Sequence, residues 1–300
     1  MEKPGHSVTM SPKSTYEKNR YETVRRIFSR FAEQVPFGIL FVVKISVITA
    51  CFNSAATLQT AFESVLRQTG VEIDYHVVDG GSKDGTIELL KIWEPKFREK
   101  GIAFTWTSEP DKGIYDAMNK GLSRATGDVL GILNSDDWLE DDHVLADVAA
   151  AFDGEGGAEL QVVYGDIRFV RGESTETVRY YSSRPWRPWM HNWGYMPAHP
   201  SIYIRREAFV ASGGYRTDYR ISADFEWMTR LLCRQRLKAR YLPRCFVTMR
   251  LGGASTGGLR SLIRLNCENV RANRANGYFC CLPMMLPKYA YKVLGYVFRK

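Results

Sequence analysis

An α/β fold built on a largely parallel sheet is what this sequence predicts, and three observations predict it. From Lys44 onward, short apolar, β-branched runs alternate with amphipathic helical stretches at the spacing of strand–helix–strand units. Residues that carry chemistry gather where the apolar runs stop, as they do when ligands bind at the carboxyl ends of parallel strands. The 300 residues are 45% hydrophobic and 25% charged, ordinary for a soluble globular chain. That composition excludes a wholly disordered chain, a collagen-like fibre and a multi-span membrane protein.

Each element has its own signal. The run 45–50 is continuous and apolar, the pattern of a strand buried on both faces, and 58–67 is amphipathic and helical. A second strand, 73–79, ends at Gly80-Gly81, and the spacing predicts a helix over 84–97 with Asp84 as its N-cap. Strand 103–107, helix 114–125 stopped by Gly127, strand 129–133 and helix 139–152 follow. After Gly154-Glu155-Gly156-Gly157 the texture changes. A strand at 162–170 leads into a structured loop, 180–197, rich in Pro, Trp, Tyr and Arg, and helices are expected at 206–212 and 224–236. Ahead of the first strand, 1–34 is polar with helical potential around 21–31, and the apolar run 35–43 is too short to span a bilayer. The expected organisation is an N-terminal extension, 1–43, a body, 44–258, and a basic, amphipathic tail, 259–300. No signal-peptide order of charge, apolar core and small residues is visible at the N-terminus.

The net charge of +8 permits nucleic acid or an anionic membrane as a partner. Its distribution separates the two. Residues 1–43 carry seven basic and four acidic side chains, and 259–300 carry eight basic and one acidic, Glu268. The body holds 26 basic and 28 acidic residues, so it presents no basic surface for nucleic acid. The six cysteines form no C-x-x-C pair, and reduced thiols in a cytosolic protein account for them most simply.

Three strand ends hold the chemistry. They are Thr49-Ala50-Cys51-Phe52-Asn53, the Gly-rich turn Asp79-Gly80-Gly81-Ser82-Lys83-Asp84-Gly85-Thr86, and Asn134-Ser135-Asp136-Asp137. Acidic clusters at adjacent strand ends beside such a turn suit a nucleotide held with a divalent metal. With S-E-P-D-K-G-I-Y-D-A-M-N-K-G at 108–121, A-T-G-D-V-L-G-I-L-N-S-D-D at 125–137, H-P-S at 199–201, G-G-Y at 213–215 and S-A-D-F-E-W at 222–227, the sequence resembles family 2 glycosyltransferases over roughly residues 44–250.

The resemblance implies a GT-A fold, a Rossmann-like, mostly parallel sheet flanked by helices, and inverting transfer of a sugar from a nucleotide-diphosphate donor, UDP-type favoured. On that basis Asp79 would accept a hydrogen bond from the base. Thr49, Ala50 and Phe52 would wall the base and ribose, and Asn53, Asp111, Asn134 and Ser135 would complete the nucleotide-sugar site. The family's D-x-D begins here with Asn134, which leaves Asp136 to hold Mn²⁺ or Mg²⁺ against the diphosphate, while Asp137 also suits a helix N-terminus. Asp224 would be the general base beneath the acceptor hydroxyl, and Glu226 a solvated or salt-bridged neighbour. Lys112, Arg124 and Arg250 are candidate phosphate partners, as is Ser255 in the Gly252–Thr256 stretch that resembles a closing loop. Tyr115 and Asp116 are candidate pocket residues, and His199 falls on the acceptor side by family position.

Trp186, Trp189 and Trp193 suit either stacking on an acceptor sugar or packing beneath the loop. The tail combines apolar clusters with Arg and Lys, the composition of a segment lying on an anionic membrane or packed on the body. The expected activity is transfer to a glycan or lipid-linked acceptor in cell-surface polysaccharide or glycolipid synthesis, in the cytoplasm and peripheral on the inner face of the membrane. Two alternatives are a non-catalytic nucleotide-sugar or glycan-binding protein, suggested by Asn134 and Ala223, and a sugar-phosphate nucleotidyltransferase. The latter wants a Gly-rich loop with downstream Arg and Lys that 51–56 does not supply.

Overall fold

The computed structural model describes residues 43–172, 174–252, 258–290 and Val293. The extension before Val43, the helix expected at 21–31 and most of the expected closing loop, Ser255 included, lie outside the described residues. The elements are β1 (Lys44–Cys51), α1 (Leu58–Leu66), β2 (Glu72–Asp79), α2 (Thr86–Glu99), β3 (Ala103–Ser108), α3 (Ile114–Arg124), β4 (Val129–Ile132), β5 (Trp138–Leu139), α4 (Val144–Asp153), β6 (Val162–Val170), β7 (Arg179–Tyr181), β8 (Ile202–Arg205), α5 (Arg206–Ser212), α6 (Ala223–Met228), β9 (Ala239–Arg250) and α7 (Leu259–Ala275).

One sheet takes all the strands in the order β3-β2-β1-β4-β8-β6-β9-β5, with β7 pairing β6 over Ile167–Phe169, beyond the stretch that pairs β8. The first four run parallel. β8 lies antiparallel between β4 and β6, and β6 and β9 are parallel again. The central strands are continuous apolar runs because both faces are covered. Alternate residues of β1 and β2, such as Val47 and Tyr75, meet Phe62 of α1 and Phe97 of α2 on one face. Ile48, Ala50 and Val78 meet Met118 and Leu122 of α3 on the other. Helix α3 lies close on the sheet because Gly121 has no side chain; a Cβ there would stand 2.5 Å from Ile48 Cγ2.

Several boundaries differ from expectation. Helix α2 begins at Thr86, and its N-cap is Gly85 at φ 97°, a left-handed conformation that glycine adopts without strain. Asp84 sits outside the helix and braces the turn instead. The expected helix 139–152 starts at Val144, because Trp138 and Leu139 pair antiparallel with Thr248 and Val247 of β9. The expected helix 224–236 is a six-residue α6 followed by a π-helical turn, Thr229–Arg234. The loop 180–197 contains β7 and a 3₁₀ turn, Pro188–Trp193.

The described part of the tail packs on the body. Ala272 and Asn273 of α7 are fully buried, and Asn273 Nδ2 donates to the carbonyl of His191 at 3.0 Å. Among the described residues no helix is long and apolar enough to cross a membrane.

Candidate active site

The carboxyl ends of β1, β2, β3 and β4 meet at one edge. Backbone bonds carry the ladders one step past the strands: Gly80 N donates to Cys51 O at 2.9 Å, Glu109 N to Asp79 O at 3.0 Å, and Leu133 N to Ile48 O at 2.9 Å. Side chains then tie the loops together. Asn53, at φ 50°, accepts from Lys83 N at 3.0 Å and donates its own N–H to Ser82 Oγ at 2.7 Å. Ser54 Oγ and Ser135 Oγ stand 3.0 Å apart and join the β1 and β4 ends. Asp84 accepts from Ala55 N at 3.0 Å and from the Thr86 hydroxyl at 2.6 Å. The Thr86 bond, with those from backbone N–H groups, holds its carboxyl below the usual range.

Asp79 is fully buried. Its carboxylate accepts from Gly81 N at 3.0 Å, Ser82 N at 2.9 Å, the Ser108 hydroxyl at 2.7 Å and the Ser82 hydroxyl. Burial pushes its pKa up, but the bonds from Ser108, Ser82 and Gly81 outweigh burial and leave it lowered. The role expected for Asp79 is a bond to the base ring, and here its carboxylate is turned onto its own loop. A carboxylate offers about four lone-pair positions, and the chain's own donors take them to shape the turn.

Thr49 and Ala50, expected to wall the base and ribose, lie within β1, between β2 and β4. Thr49 is fully buried, donating to Leu133 O at 2.7 Å, and Ala50 packs on the opposite face in the α3 core. Phe52 lies past the strand end and is 62% exposed, available as a platform. Asp111 reaches over the same turn: its Oδ1 accepts from Gly113 N at 2.7 Å, and its Oδ2 stands 2.5 Å from where a Gly80 Cβ would be. Phe52, Gly80 and Asp111 are therefore brought together from three strand ends.

At the β4 end, Asp137 is buried while Asp136 and Asn134 are partly exposed. Asp137 accepts from Asn134 Nδ2 at 2.8 Å and from Arg250 N at 3.3 Å. Burial first, then the neighbouring Asp136, pushes its carboxyl up to about 8. Asp137 is thus no helix cap, since β5 follows it. It is a site residue that the sequence reading undervalued, because a two-residue strand leaves no periodicity to see. Arg250 also reaches Thr60 Oγ1 at 2.7 Å and lies over the Trp138 ring, which puts it beside this carboxylate pair. Arg124 instead bonds Thr107 Oγ1 and pairs with Glu109 on the α3 surface, and Asp116 accepts from Lys112 N and pairs with Lys120.

Asp224 reaches this edge through Tyr115, the second residue of α3. The Tyr115 hydroxyl donates to Ile221 O at 2.5 Å and lies 3.3 Å from Asp224 Oδ1. Asp224 itself is partly exposed and accepts from Phe225 N at 2.8 Å. Burial, and then Asp224, raises the Tyr115 and Tyr215 hydroxyls well above their usual range. His199 is buried with Nε2 2.8 Å from the Tyr215 hydroxyl. Burial lowers its pKa, against the pull of Asp224, which makes it a satisfied part of the wall. Glu226 is buried and paired with Arg230. Of the loop tryptophans, Trp186 is buried against Tyr164 and His191, while Trp189 is 64% exposed.

Among the described residues no group of three or more His, Cys, Asp or Glu is arranged to hold a metal. The donor set nevertheless fits a divalent cation completed by a ligand. Such cations commonly take one or two carboxylates plus substrate phosphates, and here two adjacent carboxyls share one strand end.

Comparisons with known proteins agree with this architecture. The family model for glycosyl transferase family 2 matches residues 46–214. A PGL/p-HBAD biosynthesis glycosyltransferase of Mycobacterium bovis BCG Pasteur is 34% identical over 202 residues, covering 66% of this chain and 73% of the relative. Among solved structures, a mannosyltransferase from Pyrobaculum calidifontis, in complex with GDP-Man and Mn²⁺, superposes with a TM-score of 0.57 at 17% identity, over 91% of this chain and 81% of that one. S. aureus TarS 1–349 in complex with UDP-GlcNAc gives 0.56 at 16% identity, over 77% and 67%. Against another structure of S. aureus TarS 1–349, the chain spans 65% of that chain's length.

Proposed function

The chain belongs to glycosyl transferase family 2 and is a glycosyltransferase of GT-A fold, and on that premise we propose that it transfers a sugar with inversion from a nucleotide-diphosphate donor, using Asp224 as the base. The observation that carries the reading is the Tyr115 bridge: the hydroxyl of the second residue of α3, the helix that follows the carboxyl end of β3, lies 3.3 Å from Asp224 Oδ1. The Asp136–Asp137 pair suits the diphosphate end of a donor; Asp224, partly exposed, suits an acceptor hydroxyl.

Phe52 and Asn53 line the donor side with Asn134 and Ser135, and Asp111 addresses the donor across the Gly80 turn. Asp136, with Asp137 beside it, would hold Mn²⁺ or Mg²⁺, which supplies positive charge to the departing diphosphate. Ionisation of Asp137, opposed by burial and by Asp136, would be favoured by that cation. Asp224 takes the acceptor proton as the new glycosidic bond forms and the sugar–phosphate bond breaks. The solved neighbours in complex with UDP-GlcNAc and GDP-Man support a nucleotide-sugar donor, with the UDP type favoured. The mycobacterial relative's role in PGL biosynthesis supports a lipid-linked or glycan acceptor. Neither non-catalytic binding nor nucleotidyl transfer is favoured beside a relative named as a glycosyltransferase.

The tail supports a place on the inner face of the membrane. Leu262, Ile263, Phe279, Leu282 and Leu286 are exposed there among basic residues, and its one acid, Glu268, is occupied with backbone N–H groups of the body. Sedimentation with vesicles containing phosphatidylserine, lost in phosphatidylcholine alone, is the expected result.

A thermal-shift screen of nucleotide sugars with and without Mn²⁺ tests the donor side. Turnover of the stabilising sugar by Asp224→Asn tests the base, with a loss of about 10²–10⁴-fold expected. Full activity in that variant rejects the assignment.

A further inference from the structure

Helix α7 reaches the candidate active site with one side chain. The Glu268 carboxylate accepts three successive backbone N–H groups, from Arg220 at 3.2 Å, Ile221 at 2.9 Å and Ser222 at 3.0 Å. Those residues are the run into α6, and Asp224 is its second residue. Nothing local performs this task. Ser222 stands at the N-cap but makes no side-chain cap bond to the helix, and its hydroxyl points toward Leu265 O of α7 at 3.5 Å. Ser222 is fully buried, so water has no access to replace a lost partner for its N–H.

The Ile221–Ser222 peptide is held from both sides: its N–H by Glu268 at 3.0 Å, its C=O by the Tyr115 hydroxyl at 2.5 Å. The same hydroxyl lies 3.3 Å from Asp224 Oδ1. A displacement of this peptide would therefore move Tyr115 and Asp224 relative to each other.

We infer that Glu268 is a positioning residue for the transfer reaction: from the C-terminal helix it fixes the backbone that carries Asp224. The inference rests on the reading of Asp224 as the base.

The test compares wild type, Glu268→Gln and Glu268→Ala in the full chain. Mn²⁺-dependent release of UDP from UDP-GlcNAc, or of GDP from GDP-mannose, is measured, whichever the wild type turns over. Misplacement of a reacting group by about 1 Å costs about 100-fold in rate. The expected result is a kcat lowered about 10–100-fold, more in the Ala variant than in the Gln variant. Donor KM stays within about twofold, and melting temperature changes little in Glu268→Gln, the split between kcat and KM that a merely structural contact would not give. A kcat within about twofold of wild type in both variants overturns the inference. So does a loss in which kcat, donor affinity and melting temperature fall together, since that marks a merely structural contact. Asp224→Asn separates the two claims. If it is inactive while Glu268→Ala is fully active, only the role of Glu268 fails; if it is active, the base assignment fails first.

Discussion

Glu226 and Arg230, one helical turn apart, form a buried ion pair at 2.9 Å whose guanidinium also grips the G-G-Y turn, donating to Ser212 O and to Gly214 O at 2.6 Å. Asn276, just past α7, donates to the same Glu226 at 3.2 Å. Removing one member of a buried pair leaves the other charge without compensation, which typically costs about 3–5 kcal/mol. Arg230→Ala is expected to lower unfolding stability by that amount in urea titration. A loss below about 1 kcal/mol would mean that the turn holds without the pair.

Gly80 makes a separable prediction. An alanine there places its Cβ 2.5 Å from Asp111 Oδ2 and 3.3 Å from the Phe52 ring, so both side chains must shift. Gly80→Ala is expected to raise donor KM about tenfold, the cost of roughly one charged hydrogen bond, with little change in melting temperature. An unchanged KM would remove Asp111 from the donor side.

At the proposed metal site, Asp136→Asn is expected to abolish the Mn²⁺-dependent part of the thermal shift given by the donor, while leaving the metal-independent part. A variant that keeps its full Mn²⁺ response would move the cation elsewhere.

His191 makes stability depend on pH. It is fully buried, and burial pulls its pKa from 6.5 down to about 3. The unfolded chain therefore binds a proton that the folded chain refuses between those values. The stability from keeping the ring neutral is complete above pH 6.5 and is lost as pH falls toward 3, by about 2 kcal/mol at pH 5. Urea titrations at pH 7 and pH 5 should show a larger drop for wild type than for His191→Phe. Parallel drops would assign the pH dependence to carboxylates instead.

Two of the three loop tryptophans, Trp186 and Trp189, should separate cleanly. Trp186→Ala empties a buried site and is expected to cost about 3–5 kcal/mol. Trp189→Ala, at an exposed side chain, should leave stability within about 0.5 kcal/mol. Its effect, if the acceptor stacks there, will be on acceptor KM alone.

The parallel half of the fold was legible because strands buried on both faces are written as unbroken apolar runs; β1 and β2 are such runs. The strand β9 was not. It carries Pro243 and three arginines, and its pairing with β6 passes through two register shifts, which scramble any alternation. At the site, residue type alone was ambiguous. An aspartate before a Gly-rich turn suits a ligand or the turn itself, and spacing does not show that Gly81, Ser82 and Ser108 converge on Asp79. Glu268 was visible as the lone acid of a basic tail, but its partners lie 46 to 48 residues away.

The reach of Glu268 back to Arg220–Ser222 also bears on the order in which the protein becomes competent. A ribosome releases the family motifs, 46–214, and then Asp224 well before α7. Until α7 emerges and docks, the growing chain would carry its donor-side loops with the proposed base-bearing segment unanchored. Proteolytic clipping between Arg250 and Leu259 would return the enzyme to the same condition if the released piece departed. On the role proposed for Glu268, docking of α7 would thus be a late step in making the enzyme competent.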